Sequence, residues 1–253
     1  MTIYTTSVRQ AANTLSTAKD TAVKLARGLQ DALHRAAMFR DPNMSDEGLS
    51  AKRAELSAQF KQAAQTDLNT LQTGVEHART MLAQYARENT SIRLDPATLI
   101  RSEQLWRQVE RQLDAGMELR SILATADADT ALAILEFGPS WAKASGYRPP
   151  NMQEAIEAVL TGAEAADAGA WVQRLAYKRI AETTSDAQLA ELLNATAAAD
   201  GQYATALPYL QATSSLIVNG SADMVGAAVA SQLAEREAAP TAPGTAQDGS
   251  VAA

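Results

Sequence analysis

The stretch that decides the fold is residues 45–89, SDEGLSAKRAELSAQFKQAAQTDLNTLQTGVEHARTMLAQYAREN. Its apolar side chains recur every three or four residues, which is the period of one face of an α-helix. The members of this long stripe are Leu49, Leu56, Phe60, Ala64, Leu68, Leu71, Val75, Ala78, Leu82 and Tyr85. Arg53 is the only charged residue at a stripe position. At 1.5 Å per residue the predicted helix is about 65 Å long, so it has to pack against a partner along its length.

A second long helix is predicted for residues 6–39, whose apolar residues have the same spacing, with Thr6 or Ser7 as its cap. The sequence Asp41-Pro42-Asn43 ends this helix, because proline cannot continue the hydrogen-bonded ladder. Ser45 is the predicted N-cap of the long helix and is followed by two acidic residues that suit a helix N-terminus. The short turn predicts an antiparallel hairpin, in which only the first helix would cover the long stripe from within the chain.

Shorter helices are predicted after the hairpin. Pro96 suits the first position of a helix, with Asp95 before it as the cap, and Gly116 ends that helix. Apolar residues at 119, 122 and 123 indicate a second, shorter helix. Short helices of this kind are typical of a compact helical unit and not of a continued rod.

Asp127 is the predicted cap of a further helix, which we expect to stop at Gly138-Pro139. Trp141 would then lie in a short turn of its own. Residues 146–150, GYRPP, are the clearest candidate linker, because paired prolines stiffen the chain and interrupt helices.

The rear of the chain is also predicted to be helical. Asn151 and Ser185 each begin a capping box, with Glu154 or Gln188 three residues later. Asp200-Gly201 is predicted to turn the chain between helices. Ser221 is the predicted cap of a last helix, whose apolar side is Val225, Val229 and Leu233.

These patterns predict an all-α fold: a long, coiled-coil-like antiparallel helical hairpin, followed by smaller helical-bundle units and a disordered C-terminal tail. The predicted segments are the hairpin at 1–94, a short-helix unit at 95–148, a C-terminal helical bundle at 149–236 and the tail at 237–253. The tail is predicted to be disordered because it is rich in Ala, Pro, Thr, Gly and Ser and has almost no apolar bulk.

Composition narrows the classes of function. The formal charge of −7 disfavours nonspecific nucleic-acid binding, which needs clustered Lys and Arg. Without cysteine the chain can form neither disulfides nor thiolate metal sites. The N-terminus lacks the pattern of a secretory signal, and the most apolar later stretch, residues 207–218, is too short to span a bilayer. We therefore expect a soluble protein without membrane contacts.

Residue patterns that carry chemistry are missing. His34 and His77 lie singly inside predicted helices, and no phosphate-binding loop, dinucleotide fingerprint or nucleophile elbow is present. Asp127 and Asp129 lack the rest of a calcium loop, so capping explains them better. A solvated helix face, and not a metal site, is the interpretation of Glu154, Glu157, Glu164 and Asp167. The sequence nominates no catalytic, cofactor-binding or metal-ligating residue and predicts a protein that is not an enzyme.

Two parts of the sequence carry a resemblance. Residues 40–56, RDPNMSDEGLSAKRAEL, resemble a helix-turn-helix junction that recurs in head-assembly proteins of tailed phages of actinobacteria. Residues 105–116, LWRQVERQLDAG, with 126–132, ADADTAL, resemble a companion segment. The resemblance implies a non-enzymatic role in building or completing the virion, in the host cytoplasm during assembly and, where the protein is retained, in the particle.

The leading hypothesis is a scaffolding or accessory head protein that forms homo-oligomers through the helical hairpin and contacts the major capsid protein or a neighbouring virion protein. A permanent minor virion protein, such as a connector or decoration subunit, is the first alternative. A cellular helical adaptor is the second, although neither a ligand groove nor a basic recognition helix is visible. An enzyme whose site is assembled from scattered carboxylates is the least favoured hypothesis.

Overall fold

A computed structural model of the chain describes residues 2–91, 96–147 and 168–238, and within these ranges it contains eight α-helices and no strand. This confirms the all-α fold with a long helical hairpin. The helices are α1 (Thr2–Ala37), α2 (Asp46–Thr90), α3 (Pro96–Asp114), α4 (Leu119–Thr125), α5 (Ala128–Ala144), α6 (Ala168–Thr183), α7 (Ala187–Asn219) and α8 (Met224–Ala238).

The hairpin of α1 and α2 forms where the sequence predicts it. Ser45 is the N-cap of α2, and its Oγ accepts a hydrogen bond of 3.2 Å from the Gly48 N–H. The start of α1 differs from the prediction, because Thr6 and Ser7 lie inside the helix and do not cap it. Nothing in the preceding residues breaks a helix, so α1 extends back to Thr2.

The predicted turn at Asp200-Gly201 is wrong, because α7 continues through it and also through Pro208 as one helix of 33 residues. A glycine and a proline inside a helix cost about 1 and about 3 kcal/mol relative to alanine. Packing offsets this cost, since α7 lies against both long helices along most of its length. Its buried residues are Leu192, Leu193, Ala199, Ala206, Tyr209, Leu210, Ala212, Thr213, Leu216 and Ile217.

The register of α7 is visible in its contacts along α2. Its Thr196 hydroxyl donates to the carbonyl of Leu82, and the Arg79 Nε donates to the Asp200 carboxylate at 2.6 Å. Gly220, which ends α7 with a φ of +75°, lies beside Lys61 of α2. These pairs show that α7 runs antiparallel to α2.

The predicted stop at Gly138-Pro139 is also wrong. Helix α5 continues through it to Ala144, so Trp141 is helical and not in a separate turn. Gly138 is buried against α6, where a Cβ atom would lie only 2.9 Å from Cγ1 of Val172. We attribute the continuation of α5 past Pro139 to its close packing on α6, which outweighs the helix-breaking preference of the proline.

Two predicted caps are replaced by their neighbours. The N-cap of α7 is Asp186 and not Ser185, and its carboxylate accepts hydrogen bonds from the N–H groups of Gln188 and Leu189. Before α8, the carboxylate of Asp223 accepts from the Gly226 N–H at 2.7 Å, in place of the predicted Ser221. Aspartate caps a helix as well as serine does, so sequence alone ranks such neighbours poorly. The predicted Asp127 cap of α5 is confirmed by a 2.8 Å hydrogen bond from the Thr130 N–H.

Three buried apolar clusters hold the helices together, and α7 contributes to all of them. One joins α3, α4, α5 and α6 to the end of α2 and the start of α7. The other two place α7 against α1 and α2, with α8 added at one end. The expectation that only the first helix would cover the long stripe is therefore wrong from Ala64 onward. The clusters combine helices from different predicted segments, and the division into four segments stays a prediction.

Several predicted features fall outside the described residues. They are the cap at Asp95, the end of the GYRPP linker, the helix after Asn151 with its four carboxylates, and residues 239–253 of the predicted tail. The first two residues of that tail, 237 and 238, belong to α8.

Candidate functional site

Groups with catalytic or metal-binding potential do not converge in the part of the chain that the structure describes. Within it, no three His, Asp or Glu side chains are placed to hold a metal ion. His34 and His77 are both exposed and lie on different helices. Asp129 forms an ion pair with Arg101 at 2.6 Å. None of the described helices combines the length and apolar character that a bilayer crossing requires.

Within the described residues, the turn end of the hairpin extends beyond the end of α7. We define the hairpin tip as residues 30–60, because α7 ends beside Lys61. From there α2 continues for fifteen residues to its N-terminus, which corresponds to about 22 Å. Within 46–60, all of which the structure describes, no side chain is buried. Met38 and Met44 at the turn are 59% and 40% exposed.

Arg53 is charged at a stripe position because its guanidinium binds a backbone carbonyl at the turn of the hairpin. Its Nε and Nη2 donate hydrogen bonds of 3.0 and 2.8 Å to the carbonyl oxygen of Phe39, just past the end of α1. Carbonyl groups at a helix C-terminus have no partner within the helix and carry its negative end. The guanidinium therefore fastens the turn to α2. A charged residue at an apolar stripe position was the sequence signal for this contact.

The outward face of α8 exposes three large apolar side chains beside the polar Gln232 and Arg236. Val225, Val229 and Leu233 are 77%, 54% and 37% exposed, and we call these three residues the α8 stripe. The opposite face of α8 packs with small side chains, among them Ala227 and Ser231, which are both buried. The sequence predicted the helix and its apolar residues. It did not show that the smaller residues would face the bundle and leave the larger ones outside.

A chain of aromatic rings connects the short helices. Trp106 is buried and contacts Trp141 edge-on, with 6.1 Å between ring centroids. Trp141 lies 5.3 Å from Tyr147, and Tyr147 lies 5.9 Å from Trp171. Spacings of this size are typical of aromatic pairs that stabilise a core beyond the area they bury.

Beside these rings lies an open depression of about 470 Å³, which we call the aromatic pocket. Its lining includes Leu113, Met117, Glu118, Trp141, Ser145 and Tyr147. Burial raises the pKa of Tyr147, and the negative charge of Glu118 raises it further. The phenol is therefore neutral at physiological pH, and the pocket offers aromatic faces next to one carboxylate.

A search of protein-family models, of curated proteins and of solved structures finds no match to this chain. The surfaces described above and the resemblance carried by residues 40–56, 105–116 and 126–132 are therefore the features that bear on function.

Proposed function

We propose that this chain is a non-enzymatic structural or assembly protein of a phage head, acting as a scaffolding or accessory component through helix–helix contacts. The observation that supports an assembly role most directly is the exposure of the α8 stripe. Apolar side chains grouped on one face of a helix are typical of interaction sites. The assignment to a phage head depends on the sequence resemblance alone.

The partner of the α8 stripe is, in this proposal, a second copy of the chain. Two α8 helices that cross antiparallel at Val229 bring Val225 of each copy opposite Leu233 of the other. The same arrangement brings Arg236 toward the Asp223 end of the facing helix, so the pairing is complementary in charge as well. A surface that matches itself in this way suits a twofold interface.

The hairpin tip is the surface that we propose for the major capsid protein or a neighbouring virion protein. It extends beyond the end of α7, and its exposed Met38 and Met44 lie at the turn. Methionine side chains are flexible and polarisable, so they adapt to partner surfaces of irregular shape. A projecting, partly apolar tip is therefore suited to transient contact during assembly.

Sedimentation velocity over a range of concentrations tests self-association. Three exposed side chains cover much less than the roughly 800 Å² per partner of a standard interface, so we expect a dimer that forms at micromolar concentration or above. Val229→Asp should leave a monomer at every concentration. The matched control is Gln104→Asp, which adds the same charge at an exposed polar position of α3 and should still dimerise. A wild-type chain that stays monomeric throughout contradicts the proposed interface.

A permanent minor virion protein, either a connector or a decoration subunit, is the second candidate. The observation that favours it is the cover that α7 provides for the long stripe, which leaves less of the hairpin for contacts between copies. Scaffolding proteins leave the particle, whereas connectors and decoration subunits remain. Mass spectrometry of purified mature particles and of their precursors separates the two. Presence in precursors alone supports the scaffold, and presence in both supports the minor virion protein.

A further inference from the structure

The lining of the aromatic pocket combines aromatic rings, a thioether and a carboxylate. Trp141 and Tyr147 line it with their ring planes at 42° to each other, Met117 adds a polarisable side chain that is 48% exposed, and Glu118 supplies a carboxylate. The volume of about 470 Å³ is large enough for a long side chain and not only for water.

The position of Glu118 leaves its carboxylate available. Glu118 occupies the N-cap position of α4, yet its side chain makes no capping hydrogen bond to the described backbone of that helix. Its backbone carbonyl accepts from the N–H groups of Ser121 and Ile122 instead. Gly116, with a φ of +87°, makes the turn that brings Glu118 from the end of α3 to the pocket. The turn thus presents the carboxylate beside the aromatic rings.

The charge of the lining selects the class of ligand. Among the described residues that line the pocket, Glu118 carries the one carboxyl group, and none is Lys, Arg or His. Aromatic faces attract cations through their quadrupole, and a neighbouring carboxylate adds to that attraction. A planar guanidinium fits both partners, because it stacks on a ring while its N–H groups donate to a carboxylate.

We propose that the aromatic pocket binds an arginine side chain presented by a partner protein. Trp141 and Tyr147 hold the guanidinium by its face, Glu118 pairs with its N–H edge, and Leu113 with Met117 covers the aliphatic stem. This site is separate from the α8 stripe and needs no self-association, so the two proposals stand or fall independently.

The test uses the full chain labelled with nitrogen-15 and two capped peptides, acetyl-Gly-Ala-Arg-Ala-Gly-amide and the same peptide with citrulline. Citrulline has nearly the shape of arginine without its charge. The chain has three tryptophans, so its spectrum shows three indole N–H signals, and a Trp141→Phe variant assigns the relevant one. We expect the arginine peptide to shift the Trp141 signal with millimolar affinity and the citrulline peptide to bind at least tenfold more weakly.

Variants show whether binding occurs at the pocket. Glu118→Gln should weaken binding of the arginine peptide about tenfold, whereas Glu103→Gln, at an exposed position of α3 outside the pocket, should leave it unchanged. Both variants should sediment like the wild type, which separates this proposal from the α8 interface. Failure of the arginine peptide to shift the Trp141 signal up to about 10 mM overturns the proposal. Equal binding of the two peptides, or wild-type affinity in Glu118→Gln, overturns it as well.

Discussion

The two parts of α2 have the same sequence pattern and different surroundings. Residues 46–60 and residues 64–90 both repeat apolar side chains every three or four positions. In the first part no residue is buried, and its Leu49, Leu56 and Phe60 are only partly covered. The second part buries Ala64, Leu68, Val75, Ala78, Leu82, Ala86 and Thr90. The difference arises because α7 covers the second part and ends beside Lys61.

This contrast separates two kinds of information in the long stripe. The period specifies a helix and the face that it buries, because those follow from local geometry. It does not specify which element covers that face, since the partner is more than a hundred residues away in sequence. The Thr196–Leu82 and Arg79–Asp200 hydrogen bonds are examples of such contacts. The predictions below test how far the two parts of α2 differ.

The largest expected effect comes from truncating leucines in the two parts. Leu82→Ala removes a side chain with no exposed surface and should lower the free energy of unfolding by about 3 kcal/mol, within the usual range for such cavities. Leu56→Ala, at a partly exposed position of the hairpin tip, should cost about 1 kcal/mol. Urea unfolding followed by circular dichroism measures both. Equal losses would mean that the tip is covered as well as the rest of α2.

The second-largest expected effect is faster amide hydrogen exchange at the hairpin tip alone. Arg53→Met keeps an apolar stem in the stripe and removes both hydrogen bonds to the Phe39 carbonyl. A hydrogen bond from a charged donor contributes about 1.5 kcal/mol or more when buried, and this one is partly buried. We therefore expect amides of residues 46–53 to exchange about tenfold faster, while those of 64–90 keep their protection. Accelerated exchange in both parts would show that the tip and the bundle open together.

A smaller loss of stability is expected when the N-cap of α7, the helix that covers α2, is removed. Asp186→Ala removes the cap of α7 and should lower the free energy of unfolding by about 1 kcal/mol. Ser185→Ala, one residue earlier, should change it by less than about 0.5 kcal/mol, because the Ser185 side chain does not cap the helix. Chemical unfolding of the two variants checks the ranking. A larger loss in Ser185→Ala than in Asp186→Ala would mean that Ser185 caps the helix, as the predicted capping box requires.

The smallest effect is a pH dependence in the contact between α1 and α7. Glu191 accepts hydrogen bonds from Arg9 at 2.6 and 3.0 Å, and this contact lowers the pKa of Glu191 from its ordinary value of 4.5. A carboxyl group with a lowered pKa in the folded state contributes stability above its unfolded pKa, and loses that contribution as the pH falls through the folded value. The urea midpoint of the wild type should therefore be slightly higher than that of Glu191→Gln at pH 7. The difference should shrink as the pH falls below the ordinary carboxyl range and vanish once Glu191 is protonated in the folded state. A difference that persists at low pH would contradict the assigned cause.

Local chemistry in the sequence was sufficient for much of the fold. Ser45, Pro96 and Asp127 begin helices as predicted, because caps and first-turn prolines act within a few residues. Pro139 and Asp200-Gly201 misled the prediction, because packing on distant helices outweighs their local preference. The sequence also could not rank Asp186 above Ser185, because these neighbouring residues are both suitable caps.

The candidate surfaces were less predictable than the helices. The sequence predicted the α8 stripe only as the apolar side of the last helix, and the packing of the small residues on the other side shows that it is exposed. The aromatic pocket joins Glu118 to Trp141 and Tyr147 from separate helices and loops, and no sequence spacing indicates that they meet. Arg53 was the exception, since its charge stood out within an apolar stripe.

Hydrogen exchange along α2 in dilute protein measures directly whether α7 covers residues 64–90 and leaves residues 46–60 uncovered. At a concentration where sedimentation shows a monomer, contacts between copies add no protection. The amides of residues 64–90, which α7 covers, should then exchange at least a hundredfold more slowly than those of residues 46–60. Equal protection along the whole of α2, or stronger protection at the tip, would contradict the cover by α7 on which this account depends.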